Sequence, residues 1–216
     1  MKKLISLILT IFLCSSLSHA QNIRLNLYSA YVFPDRFDSY YDAYNYYNGQ
    51  IQDGFQWGGG LEYLVNPAYG VELLYYREDT DAPNTEYYYN NKIQHSDLDL
   101  AINYVLLGGV RHIQKPGGKV DGFGGLMAGM VIANITNPDT NNSSTPTKFA
   151  WGIRGGANIW ASERVAIKLQ VQLLSAVQAM GGGLYFGTGG VGAGVSSFST
   201  IYQFGLGGGL AFAIGK

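Results

Sequence analysis

From Gln21 onward the chain alternates apolar with polar or small residues at a period of two, the repeat of a β-strand whose two faces meet different surroundings. Eight such segments are legible. In the first, Ile23, Leu25, Leu27, Tyr31 and Phe33 share one face, and Arg24, Asn26, Tyr28 and Ala30 the other. The second sets Phe55, Trp57, Leu61, Tyr63 and Val65 against Gln56, Gly58, Gly60 and Glu62. The third, spanning 71–76, is the shortest and sets Val71, Leu73 and Tyr75 against Glu72, Leu74 and Tyr76. In the fourth, Leu98, Leu100, Ile102, Tyr104 and Leu106 oppose Asp97, Asp99, Ala101, Asn103 and Val105. Segments over 120–132, 149–159, 165–173 and 202–214 continue the pattern, with Asp121, Arg154 and Lys168 on their polar faces. Most reach the ~9–11 residues with which a tilted strand crosses a bilayer.

The connections alternate in length. Long ones run roughly over 34–54, 78–95, 135–148 and 178–199, and short ones over 66–69, 112–118 and 161–163. Long and short rims at opposite ends, joined by an even number of strands, predict an all-β, eight-stranded, antiparallel up-and-down barrel. Aromatic residues band its apolar face. Tyr31, Phe33, Phe55, Trp57, Phe149, Trp151, Tyr202 and Phe204 lie toward the long connections. Tyr63, Tyr104, Phe212 and Trp160 lie toward the short ones. Two aromatic girdles around an aliphatic belt are a membrane-interface pattern.

Charge decides which face is inside. Arg24, Glu62, Glu72, Asp97, Asp99, Asp121, Arg154 and Lys168 all fall on the second face, and the aliphatic face carries essentially none. A water-facing exterior without charge would aggregate. The aliphatic face is therefore expected to meet lipid and the charged face to line the lumen. A closed barrel is the other way, besides a helix, to satisfy every backbone group in lipid. No segment holds the 18 consecutive apolar residues that a spanning helix needs.

The first twenty residues read differently. Lys2 and Lys3 precede an apolar run over 4–13, and Ser18-His19-Ala20 offers small residues at both recognition positions of a cleavage site. The run is too short for a transmembrane anchor, and Leu13 is too large to precede a lipidated cysteine at Cys14. The expected organisation is a cleaved secretory signal over 1–20 and one barrel domain over 21–216. Cleavage would remove the only cysteine, so neither a disulfide framework nor a cysteine metal site is expected in the mature chain.

Composition agrees with this reading. Charged residues are 13% of the chain, about half the ~25% of soluble domains. Thirty of 216 residues are glycine, about twice the ~7% norm. A formal net charge of −1 gives no reason to expect nucleic acid as a partner.

The chain resembles the small outer-membrane β-barrel family of OmpA- and OmpX-like proteins. The local echoes are Tyr104-Val105-Leu106-Leu107-Gly108-Gly109 and the glycine-rich Gly122-Phe123-Gly124-Gly125-Leu126. Gly209, Phe212 and Ile214 match the spacing of the family's C-terminal assembly signal. The family usually ends on an aromatic residue, whereas this chain ends Ile214-Gly215-Lys216. The resemblance implies insertion into the outer membrane of a Gram-negative bacterium by the barrel-assembly machinery. It implies contact with outer-membrane lipid and lipopolysaccharide. It implies no particular activity, because a shared fold does not fix function.

Candidate chemistry falls in three places. Eight strands enclose a lumen just wide enough for side chains to fill, and charges there must pair. Arg24, Glu62, Glu72, Asp121, Arg154 and Lys168 are the expected ion-pair plug, with Asp97 and Asp99 near the outer mouth. The second place is the first two long connections. One carries Tyr40, Tyr41, Tyr44, Tyr46 and Tyr47, the other Tyr87, Tyr88 and Tyr89. Tyrosine and asparagine make adaptable contacts at low entropy cost, which suits a surface that binds a partner protein or glycan. The third is His95-Ser96-Asp97, which holds the residue types of a nucleophilic triad. Adjacent strand residues point to opposite faces, so Ser96 is not expected to meet both partners.

His95 and His112, placed at opposite rims, cannot share a metal. The match of Gly187-Thr188-Gly189-Gly190-Val191-Gly192 to a dinucleotide fingerprint lacks the strand and helix that motif requires. The uncharged connection over 178–199 either prolongs its strands or folds over the mouth. The resulting expectation is a monomeric structural or surface-interaction barrel without catalytic residues, metal or cofactor. A small passive channel and an outer-membrane lipid-modifying enzyme stand as alternatives.

Overall fold

The computed structural model describes residues 22–42, 45–89, 92–114, 117–139, 141–177, 185–187, 190–192 and 200–214, with the backbone alone over 37–48, 87–92, 94, 185–187, 190–192 and 200. The signal expected over 1–20, Tyr44 and most of 178–199 lie outside the described residues. Thirteen strands are described: β1 Ile23–Val32, β2 Asp35–Asp42, β3 Asn45–Ile51, β4 Gly54–Asn66, β5 Tyr69–Tyr89, β6 Lys92–Gln114, β7 Val120–Asn137, β8 Asn142–Ser144, β9 Thr147–Trp160, β10 Val165–Val177, β11 Tyr185–Gly187, β12 Gly190–Gly192 and β13 Thr200–Ile214.

Eight of them close a ring in the order β1-β4-β5-β6-β7-β9-β10-β13, every pair antiparallel. The first and last strands complete it, from Ile23 opposite Ile214 to Val32 opposite Gly205. Closure leaves no edge among these eight strands, which is what lipid demands.

The short connections are tight because side chains cap them. Asn66 Oδ1 accepts hydrogen bonds from the backbone N–H groups of Ala68 (2.9 Å) and Tyr69 (3.0 Å), closing β4 onto β5. Ser162 Oγ accepts from Val165 N (3.1 Å) between β9 and β10. Between β6 and β7, Gly117 adopts φ 72°, a left-handed conformation that glycine takes without a Cβ penalty.

The opposite rim differs from a set of plain loops. β5 and β6 are 21 and 23 residues long. At ~3.3 Å per residue each far exceeds the ~30 Å hydrocarbon layer, even when tilted. Their hairpin stands well beyond the ring and pairs as far as Tyr89 opposite Lys92. The first long connection contains the hairpin β2–β3, and β3 pairs with the upper part of β5. The third contains β8 against β7.

Burial follows the expected parity in seven of the ring strands. Arg24, Asn26, Tyr28 and Ala30 are buried while Leu25, Leu27 and Tyr31 are exposed, and the same alternation holds around the ring. An exposed belt of Leu61, Val71, Leu73, Leu107, Leu126, Ile153, Leu169 and Leu206 encircles the barrel.

β6 reverses the expectation. Leu100, Ile102, Tyr104 and Leu106 are buried in the lumen, while Asp97, Asp99 and Val105 face outward. Both faces of this strand are aliphatic across the membrane, so alternation there does not tell inside from outside. Asp97 and Asp99 sit on the part that stands above the membrane, where the outward face meets water. The true marker of the lumen face is His112, which has the parity of Leu106 and is buried. Tyr104 accordingly belongs to the interior and not to an aromatic girdle.

Candidate functional site

The lumen has two storeys. The storey nearer the short turns is ionic, and its hub is Glu72. That carboxylate accepts hydrogen bonds from Arg154 Nη2, from Asn26 Nδ2 (2.7 Å) and from Tyr28 OH (2.5 Å). Arg154 Nη1 donates to Tyr28 OH at 2.8 Å, so guanidinium, phenol and carboxylate form one triangle. Room for it comes from glycine. A Cβ at Gly60 would overlap Glu72 Oε1, and one at Gly70 would overlap Glu62 Oε1.

A second cluster lies closer to the turns. His112 is held between Glu62 (Nε2 to Oε1, 2.6 Å) and Asp121 (Nδ1 to Oδ2, 3.0 Å). An imidazolium donates to both carboxylates, whereas a neutral ring has one donor. Asp121 also accepts from Arg24 Nη1 (3.2 Å) and Asn158 Nδ2 (3.3 Å), and the Arg24 guanidinium stacks 5.1 Å from the Trp160 ring centre. Lys168 lies between the clusters. It has no direct ion pair among the described residues; its ammonium stands 4.5 Å from the Phe123 ring centre and 5.2 Å from that of Tyr28.

The other storey, toward the long strands, is mostly apolar. Leu74, Leu106 and Leu174 are fully buried, and Leu100, Ile102, Met127, Val131 and Ala150 pack with them beneath Ile51 of β3 and Ala82 of β5. One wall is polar. Gln170 Nε2 donates to Gln172 Oε1 (3.0 Å), and Gln172 Nε2 donates across the lumen to Gln56 Oε1 (2.5 Å). Higher up, Tyr104 OH donates to Gln203 Oε1 (2.6 Å), and Gln203 Nε2 donates to Glu78 Oε2 (2.9 Å).

Above the lumen stands the rim sheet. Its register brings together two tyrosine-rich segments that are distant in sequence. Tyr40 lies opposite Tyr46 and Tyr46 opposite Tyr88, one cross-strand row through β2, β3 and β5; Tyr47 lies opposite Tyr87 in the next row. Tyr41 and Tyr89 belong to the ends of β2 and β5. The same two segments, 34–54 and 77–99, hold ten of the chain's fifteen acids against three of its fourteen bases.

His95, Ser96 and Asp97 do not converge. His95 faces Glu86 (3.9 Å), Ser96 Oγ accepts from Asn137 Nδ2 (2.5 Å), and Asp97 Oδ1 accepts from Asn84 N (2.9 Å). Among the described residues there is no cluster of three or more metal-ligating side chains.

Sequence reasoning missed two lumen residues. It left His112 in a turn and Glu78 in a loop, because both fall beyond the aliphatic stretch by which each strand was bounded. The parity of Glu78 with Glu72 and Tyr76 was an available signal; His112 shares the parity of Leu106, a residue the alternation had set on the lipid face, so β6 itself did not mark it.

No protein-family model and no curated protein matches the sequence. Solved structures do match. Neisserial surface protein A is 12% identical with a TM-score of 0.56, over 88% of this chain and 96% of that one. The outer membrane protein OprG from Pseudomonas aeruginosa is 12% identical with a TM-score of 0.53, over 90% and 96%. The outer membrane protease OmpT from Escherichia coli is 8% identical with a TM-score of 0.51, over 89% and 97%. The chain therefore has the fold of the small outer-membrane β-barrels. At these identities the likeness concerns the fold, which hosts unlike roles.

Proposed function

We propose that this is an integral outer-membrane protein whose lumen is closed and whose work is done at the rim, by contact with a surface protein or glycan. The observation that carries the reading is the register of β2, β3 and β5, which assembles two distant tyrosine-rich segments into one sheet beyond the membrane. Rigid strands lower the ordering cost of such a surface. The aliphatic belt contacts outer-membrane lipid and the rim stands among lipopolysaccharide. The barrel acts as a monomer placed by the barrel-assembly machinery, and it uses no catalytic residue or cofactor.

Cells displaying the protein, passed over immobilised sulfated and sialylated glycans and extracellular-matrix proteins, test this. Retention on at least one surface is expected. Replacing Tyr40, Tyr46 and Tyr88 together by serine should lower it at least tenfold with the barrel still heat-modifiable on gels. Equal retention by the triple variant would sink the reading.

A further inference from the structure

We propose that the upper storey holds a binding site for a monovalent inorganic cation, centred on Glu78. The argument starts from an imbalance. Glu78 is completely buried, and its only direct partner among the described residues is the neutral amide of Gln203, on Oε2. Oε1 has none.

Among the described residues no fixed cation is placed to serve it. Arg77 is adjacent but points to the opposite face, where it is engaged by Asp79 (2.6 and 3.0 Å). The lumen cations belong to the other storey. Arg154 is bound to Glu72, six residues along the same strand and so roughly 20 Å away. The segment over 178–199 contains no lysine or arginine, and Lys92 lies at the tip of the β5–β6 hairpin, nine pairs beyond Glu78. A buried carboxylate without a counter-charge is costly.

The neighbouring amides supply the rest of the site. Gln56 is directly opposite Glu78 in the β4–β5 register, is buried, and has an unpartnered Nε2. It ends the chain of amides Gln170–Gln172–Gln56, whose other end, Gln170 Oε1, is also unpartnered. Such a chain is reversible. Turning all three amides by half a turn keeps both hydrogen bonds, with Gln56 donating to Gln172 and Gln172 to Gln170. It exchanges the free Gln56 nitrogen for a carbonyl oxygen. The reversed chain then places a hard oxygen on Gln56, the residue directly opposite Glu78 in the register, and oxygen is the ligand type that hard cations take.

One carboxylate among neutral amides is neutralised by a single positive charge; a divalent ion would leave a net buried charge. Gly54 lies against Oε1, and a Cβ there would stand 2.6 Å from it. The acid surplus of the rim raises the local cation concentration at the mouth.

The test is thermal unfolding of the protein purified in detergent, in sodium, potassium, choline, methylammonium and magnesium chlorides at one ionic strength. Sodium or potassium is expected to raise the midpoint over choline, saturably, by about 3–6 °C at tenfold excess over half-saturation. Glu78→Gln should abolish the rise. Gly54→Ala, which crowds Oε1 and keeps the carboxylate, should raise the half-saturating concentration at least tenfold; it decides the matter if Glu78→Gln does not fold. Equal midpoints in sodium, potassium and choline would overturn the proposal. So would an undiminished response in Glu78→Gln or Gly54→Ala, or a rise confined to methylammonium or magnesium.

Discussion

The two storeys of the lumen fill the same eight-stranded ring by different physics. Near the short turns, Arg24, Glu62, Glu72, His112, Asp121 and Arg154 hold one another by directional, charge-assisted bonds. Toward the long strands, Leu74, Leu106, Leu174, Met127 and Val131 fill space by shape, with a single wall of amides. An ionic layer fails when one partner is lost, because the survivor is left charged and buried. An apolar layer fails in proportion to the volume removed. The comparison therefore predicts different responses to equally small substitutions.

The largest effect is expected in the ionic storey. Glu72→Ala strands the Arg154 guanidinium and should destabilise the barrel by about 3–5 kcal/mol, read from guanidinium-induced unfolding in detergent. Pairing it with Arg154→Met should recover most of that loss; a double variant as unstable as the single one would break the distinction between the storeys. In the apolar storey Leu106→Ala should cost about 2–4 kcal/mol, and Arg154→Met should not rescue it. His112→Phe should cost roughly 2 kcal/mol by the same unfolding measurement, because Glu62 loses its direct ionic partner whereas Asp121 keeps Arg24 and Asn158. The smallest effect belongs to Tyr104→Phe, which leaves the ring in place and removes one bond to Gln203, worth about 1 kcal/mol. A loss above 3 kcal/mol there would mean that the amide wall and Glu78 form a network as coupled as the ionic one.

The same contrast explains what could be read from the chain. Where a strand carries a charge within the membrane, as Arg24, Glu72 and Lys168 do, parity fixes the lumen face, and those faces agree with the structure. β6 carries no charge between Asp99 and Arg111, and its two rows are equally aliphatic. Its face is set by its neighbours across the ring, and a single strand does not contain that information. Strand lengths were legible only as far as the apolar alternation ran. The upper reaches of β5 and β6 carry polar or small residues on both faces, even where Thr80, Ala82, Thr85 and Ser96 are buried, so they read as loop. The pairing of β3 with β5 is non-local. It joins Tyr46 to Tyr88 across forty-odd residues, and no local pattern announces it.

The central claim is that the two storeys together close the lumen. Ionic current through planar bilayers containing the purified protein tests it most directly. The wild type should show no unitary openings at moderate voltage, while Glu72→Ala combined with Leu106→Ala, thinning both layers, should show them. Steady ohmic openings in the wild type would contradict the claim and make the barrel a channel.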